Sequence, residues 1–378
     1  IGYGTKTRAT TTGAVDLVNA DKLTNKPLTN TAELLQGVVP GMEIRRTNQG
    51  KVGEEGYDIR LRGVTSRSDP GILVVVDGIP YSDNNANALN KINPQDIENI
   101  TILKDAQAAI YGARAAGGVL LVTTKKGKTE KPTISYTGNF NFNTPASVPQ
   151  KVNVLQHIEM MGELYANDGI SNHFFTHLLP YVNTADIYSK NPEVVKGPFG
   201  DTPDLVLGWH DWWKEMYGTA FDHSHNLSIS GGSEKSNYYA SIGYLDQGSM
   251  FNYGEHNNKK YWGRFKYEYN LNKYIKLRSN VYVGRKKVTE PYDINQLAWL
   301  TYWTWNCQPT FNPQGQYYGS GGFGNPIAFA EHTGNRWKTY YSYYTQLGFD
   351  ITPLKNLTIT GDMSLNYDIS DEKYYRKR

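Results

Sequence analysis

From about residue 132 onward the chain alternates. Ile134, Tyr136, Gly138, Phe140 and Phe142 are apolar or small, and Thr133, Ser135, Thr137, Asn139 and Asn141 between them are polar. Phe265, Tyr267, Tyr269 and Leu271 alternate with Arg264, Lys266, Glu268 and Asn270. The same period of two runs through Ile275–Val283, Tyr341–Ile351 and Leu357–Tyr367, with weaker stretches near 226–231 and 237–246. A period of two predicts strands with one apolar and one polar face. On this register Phe140, Phe265, Leu347 and Leu365 share the apolar face, as do Tyr136, Tyr267 and Tyr341, while Glu268, Asp350 and Asp362 point the other way.

A soluble sandwich also alternates, so two further features carry the reading. The strands run to about ten residues or more, the length a tilted strand needs to cross a bilayer, against a usual five or six. Their connections alternate in length: about 80, a dozen and 50 residues for one set, and about three to five for the other, at Gly232–Lys235, Asn272–Tyr274 and Pro353–Asn356. Outer-membrane barrels place long loops outside and short turns in the periplasm.

Residues 1–130 have a different pattern, that of a mixed α/β domain. Thr31–Leu35 opens a short helix that Pro40-Gly41 stops. Ile72–Val76 is a buried-strand run ended by Asp77-Gly78. Asn93 caps a short helix with Pro94 at its first position. Strands follow at Ile100–Leu103 and Val119–Val122, with a short helix over Asp105–Tyr111 between them. The expected fold is an α/β domain (1–130) followed by antiparallel transmembrane β-barrel strands with long extracellular loops (131–378), about seven strands of an incomplete barrel.

Composition sharpens this picture. The chain carries 29 Tyr, 8 Trp and 37 Gly, which suits barrel strands and their aromatic girdles. No apolar run approaches the ~20 residues of a membrane helix, and mean hydropathy is −0.58, neither of which argues against a barrel. A net charge of +3 gives no electrostatic case for nucleic acid. One cysteine, Cys307, excludes an intrachain disulfide framework. The chain begins at Ile1 without Met or signal peptide, as expected of a mature or internal piece.

Several blocks of the first domain resemble the plug of SusC/RagA-like TonB-dependent outer-membrane transporters. They are Leu73–Pro80 (LVVVDGIP), Ile92–Ile100 followed by Leu103–Ala106 (INPQDIENI, LKDA) and Ala109–Val119 (AIYGARAAGGV). Gly2–Thr5 resembles the start of such plugs and His225–Gly232 their early barrel. The resemblance implies a barrel of about 22 strands occluded by the plug, an outer-membrane location and import of oligosaccharides or oligopeptides. It implies energy from TonB through an upstream box absent from this chain, a SusD-like surface lipoprotein as lid, no cofactor and no enzymatic activity. A siderophore or cobalamin receptor is the alternative within the class. A secreted aromatic-rich β-sheet binding module is the alternative outside it, and a need for detergent in extraction separates the two.

Candidate site residues follow. Arg62, in a stretch resembling the plug IRIRG motif, and Lys104, at a position where such plugs carry a cation, are expected to latch plug to barrel. An unpaired buried charge is costly, so wall carboxylates should face them. Gly63, Asp77, Gly78, Gly112, Gly117 and Gly118 are candidate turn or gating positions. Trp299, Trp303 and Trp305 fall in a long connection and offer flat faces for sugar rings. Trp209, Trp212 and Trp213 are expected to anchor the loop before the second strand. His173 and His177 lack the companions of a metal site, Asp83-Asn84-Asn85 lack EF-hand spacing, and no nucleophile elbow is present.

Overall fold

A computed structural model describes residues 15–19, 30–47, 51–61, 63, 71–81, 86–104, 107–147, 149–170, 174–182, 193–195, 205–319 and 324–377. Arg62, Gly2–Thr5, Asp83–Asn85, Asp105, Ala106 and His173 lie outside them.

The first part builds a five-stranded sheet from β1 (Val15–Asn19), β4 (Leu73–Val76), β5 (Ile79–Pro80), β6 (Ile97–Leu103) and β7 (Val119–Thr124), in the order β1-β6-β7-β4-β5. Only β4 and β7 run parallel. A hairpin of β2 (Met42–Arg46) and β3 (Tyr57–Leu61) sits beside it. The unbroken apolar run of β4 reflects burial on both faces: Val74 and Val76 join one core cluster, and Leu73 and Val75 another. Helix α1 (Thr31–Leu35) is capped by Asn30, whose side chain accepts from Ala32 N. It ends before Pro40 because Gly37 turns left-handed at φ 73°. Within the short helix expected over Asp105–Tyr111 the described residues form a 3-10 turn at Ala109–Tyr111, and a further one, Ala113–Ala115, follows Gly112 at φ 75°. Helix α2 (Ala86–Lys91) follows β5, and Asn93 then caps a single 3-10 turn, Pro94–Asp96, by accepting from Gln95 N.

The second part is one antiparallel meander of seven strands: β8 (Thr133–Asn143), β11 (Ala220–Gly232), β12 (Ser236–Gly248), β13 (Asn257–Asn270), β14 (Ile275–Pro291), β15 (Gly334–Leu354) and β16 (Leu357–Arg376), with the two-stranded ribbon β9 (Glu193–Val195) and β10 (Leu205–Leu207) between β8 and β11 in the chain. The alternation places a continuous row, Ile134–Ile229–Ala240–Phe265–Val281–Thr345–Leu365, across all seven strands on the outward face. Phe140, Phe265, Leu347 and Leu365 are exposed on that face, as expected. Strands β14 and β15 run further than the alternation suggested, taking in Lys287–Pro291 and Gly334–Trp337. Their outer ends carry polar residues on both faces, so the two-residue period fades before the ladder does.

Short turns at 233–235, 271–274 and 355–356 lie at one end of the sheet. The described parts of the long connections 144–219 and 292–333 lie at the other and share core clusters of their own. Helices α3 (Val154–Asn167) and α4 (Phe174–Val182) pack with Leu207 and Cys307. Helices α5 (Trp212–Met216), α6 (Ile294–Trp303) and α7 (Pro326–His332) share a second core built on Trp212, Leu297 and Ile327.

Candidate functional site: the plug against the barrel wall

The main plug core does not stop at the plug. Its cluster of Leu34, Ile59, Val74, Ile100 and Val122 continues into Leu245, Trp262, Tyr282 and Tyr344, which are wall residues on inward registers. Tyr81 of the plug and Tyr344 of the wall stack at 6.1 Å. Around this apolar centre, charged and amide side chains cross from plug to wall.

The deepest crossing is Asp96. Its side chain is closed to solvent, Tyr239 Oη donates to Oδ1 at 2.8 Å, and Arg264 Nε lies 3.4 Å from Oδ2 without hydrogen-bond geometry. Arg264 spends its directed bond on Asn280 Oδ1, at 3.1 Å, and lies over the Tyr282 ring. Asn280 in turn donates to Asp77 Oδ2, which also receives the Thr124 hydroxyl and lies 3.0 Å from Lys266 Nζ. Burial alone would raise the Asp77 carboxyl, but Lys266, Arg264 and the Thr124 bonds outweigh it and hold the group below its ordinary range. Asp77 and Gly78, at φ 48° and 89°, form the two-residue turn between β4 and β5, a conformation that asparagine, aspartate and glycine supply. The turn is what aims the Asp77 carboxylate at the wall.

A second crossing lies toward the long-loop end, where the segment between β2 and β3 meets the wall. Glu54 binds Lys338 Nζ at 2.5 Å and Tyr340 Oη, Lys286 Nζ donates to Gly53 O, and Val52 N donates to His256 Nε2 at 3.3 Å. Burial raises Glu54 as well, and the Lys338 and Tyr340 bonds bring it net below the ordinary value. Two cavities, of about 580 and 630 Å³, flank this segment and share Gly53, Glu55, Lys260 and Lys286 in their walls.

The arrangement is mainly plug anions against wall cations, the reverse of the expected polarity. Lys91–Asp368, at 2.8 Å, is a crossing of the expected sense. Lys104 instead pairs inside the plug, with Asp16 at 2.5 Å and the Pro40 carbonyl at 3.1 Å. Arg62 lies outside the described residues. Glu268, Asp350 and Asp362 do lie on the inward face, but their cations are Lys276 and Arg278, which also belong to the wall. Sequence reasoning missed Asp96, Arg264 and Lys266 as a set. Their signal was present in part, since even-numbered charges on β13 must face inward.

Among the glycines, Gly117 and Gly118 are the constrained pair. A Cβ on Gly117 would lie 2.0 Å from the Gly71 carbonyl oxygen, and Gly118 adopts φ 99° against Leu61. Gly63 and Gly112 also have positive φ, with open space where a Cβ would stand. Trp299 and Trp303 are exposed on α6 with centroids 6.2 Å apart, and Tyr302 meets Trp303 edge-on. Trp305 turns inward onto Phe175 at 4.8 Å, and its carbonyl accepts from the Trp212 indole. Trp212 is buried, Trp213 stacks on Tyr217, and Trp209 is exposed.

A small mixed domain docked through buried ion pairs on the inward face of a long-stranded meander is the arrangement of a plug domain against part of a barrel wall. The TonB-dependent receptor plug domain family matches residues 7–119. TonB-dependent receptor SusC of Bacteroides thetaiotaomicron is 33% identical over 66% of this chain and 22% of its own length. A TonB-dependent receptor of Formosa agariphila is 30% identical over 99% of this chain and 35% of its own. The RagAB peptide importer in its open-open state superposes with a TM-score of 0.74 at 26% identity, over 98% of this chain and 42% of that one. The chain belongs to the SusC/RagA-like family of TonB-dependent outer-membrane transporters. It spans about a fifth to a third of the length of these curated relatives.

Proposed function

We propose that the full-length protein imports a bulky oligomer, an oligosaccharide or oligopeptide, through an outer-membrane barrel of about 22 strands. In this reading residues 1–130 are the plug and 131–378 the first strands of the barrel wall. TonB, engaging a box upstream of the plug, supplies the work, and a SusD-like lipoprotein covers the mouth formed by the long connections. The supporting observation is the polar plug–wall interface around Asp77 and Asp96. A lumen filled by a docked domain does not conduct passively, so transport requires the plug to move. Buried ion pairs suit a domain that must undock: their attraction is largely cancelled by desolvation, and each partner regains water when the contact opens. The latch expected at Arg62 and Lys104 is proposed here for Asp77–Lys266, Asp96–Arg264 and Glu54–Lys338. Lys104 supports it indirectly, by tying β1 to the turn before β2. The likeness to SusC and to a peptide importer supports an oligomeric substrate over a siderophore. Uptake of candidate oligosaccharides and oligopeptides is to be measured in cells carrying the intact transporter or one lacking the TonB box, with and without a protonophore. Uptake should require both the box and an energised inner membrane. Equal uptake in all conditions would mean a diffusive channel and overturn the proposal.

A further inference from the structure

The outward face carries cations where the apolar surface ends. Tyr269, Tyr267, Phe265, Gly263 and Tyr261 climb β13 on outward registers, and Lys259 is the next outward residue after Tyr261. At about 3.3 Å per residue and the usual strand tilt, Lys259 stands about 25 Å above Tyr269, the height of a barrel's apolar band. Lys259 is paired directly with Lys287 of β14, and Tyr261 with Arg285. Three cations therefore crowd one point at the long-loop edge of the band. Like charges facing each other across a ladder repel, and this pair lies beside hydrocarbon, where screening is weak.

The protein answers only part of this charge. Lys259 lies 3.4 Å from Asp246, which also accepts from Tyr244. Asp371, the next carboxylate around the rim, lies two strands from Lys287 through Thr339 and is 3.7 Å from Lys373. Among the described residues, Arg285 and Lys287 have no ion pair and no side-chain hydrogen bond. Arg285 is exposed and Lys287 half-exposed, both on the lipid-facing side. We infer that Lys259, Arg285 and Lys287 form a binding patch for the phosphate group of an outer-leaflet glycolipid. A phosphate at this height sits between a guanidinium that matches it bidentately and two ammonium groups that supply point charge. The lipid's chains then run down the apolar surface of Tyr261, Phe265 and Val283.

The test uses the full-length transporter in lipid nanodiscs, with lipopolysaccharide, the same lipid stripped of phosphate, and inorganic phosphate as probes. Arg285→Gln with Lys287→Gln should weaken lipopolysaccharide retention on the order of tenfold to thirtyfold. The charge-preserving pair Arg285→Lys with Lys287→Arg should retain most of it, which also separates binding from barrel assembly. The dephosphorylated lipid should bind the unaltered protein as weakly as the lipopolysaccharide binds the Gln variant, and millimolar phosphate should not displace the intact lipid. Unchanged retention in the Gln variant, equal binding of the dephosphorylated lipid, or displacement by free phosphate would each overturn the inference. None of these readouts depends on substrate uptake.

Discussion

Arg264 of the wall and Asp96 of the plug face each other at 3.4 Å with side chains 3% and 0% exposed. Neither gains access to water while the plug is docked, so each is compensated from within the interface, Arg264 by Asp96 first and Asp77 second, and Asp96 by Arg264 with Lys260 beyond it. Removing one partner strands the other in a dry interface, at a cost of about 3–5 kcal/mol, whereas replacing both by apolar groups is often neutral. Asp96→Asn and Arg264→Met should each loosen the plug by about that amount, and Asp96→Leu with Arg264→Met should restore much of it. Hydrogen exchange of Ile97–Leu103 and Val119–Thr124 in the full-length protein, followed through denaturant, reads the docking. Additive losses in the double variant would show that the two side chains do not act as a pair.

Acid should weaken the contact between the plug and the 249–256 loop. Val52 N–H donates to His256 Nε2, so that nitrogen must be unprotonated, and Ser249 holds Nδ1. Burial pushes the imidazole down to about 4, with Glu54 raising it and Lys51 lowering it further. A depressed folded pKa contributes stability above the free imidazole value of 6.5 and loses it as pH falls from there toward about 4. Protection of the Val52 amide, corrected for intrinsic exchange, should decline across that window. His256→Ala should flatten the dependence; a profile unchanged by the substitution would assign it to the neighbouring carboxylates.

The barrel strands were legible because the period of two is imposed by burial on one side and lipid on the other, and it survives any loop sequence between. Phe265 outward and Lys266 inward follow from parity alone. The strand ends were less legible, because from the edge of the apolar band outward Lys287, Glu290 and Arg336 are polar whichever way they face. The latch was the least legible part. Parity shows that Arg264 points inward, but not that Asp96, whose local role is in a 3-10 turn, arrives opposite it. Lys104 shows the converse: its position in a motif says nothing about Asp16, which reaches it through the β1–β6 pairing.

Gly117→Ala should disrupt the plug and leave the wall intact. The added Cβ meets backbone rather than a flexible side chain, at 2.0 Å from Gly71 O, and the segment leads into β7, the middle strand of the plug sheet. Gly112→Ala meets open space but must hold φ 75° with ψ −164°, a region essentially confined to glycine, at a cost of about 1–3 kcal/mol. Exchange over Val119–Thr124 should therefore rise far more in the first variant than the second, with the barrel's resistance to heat unchanged in both. Equal effects would mean that β7 shifts to accommodate the methyl group.

The tryptophans of the long connection should divide by position. Trp299 and Trp303 expose 43% and 52% of their surface on one side of α6, close enough to form a continuous aromatic platform with Tyr302. Aromatic faces of this kind suit the apolar faces of sugar rings. Trp305 packs edge-on against Phe175 and bridges to Trp212 through its carbonyl, so it holds the two long connections together. Trp299→Ala with Trp303→Ala should leave the thermal unfolding of the long connections unchanged and weaken ligand capture, read by calorimetry against a panel of oligosaccharides and oligopeptides. Trp305→Ala should lower the stability of their packed core by about 3 kcal/mol, read as faster proteolysis within 144–219, with any loss of binding following from that. Full binding by the Trp299/Trp303 variant across the panel would remove the platform from substrate recognition and leave it as an interface for the lid.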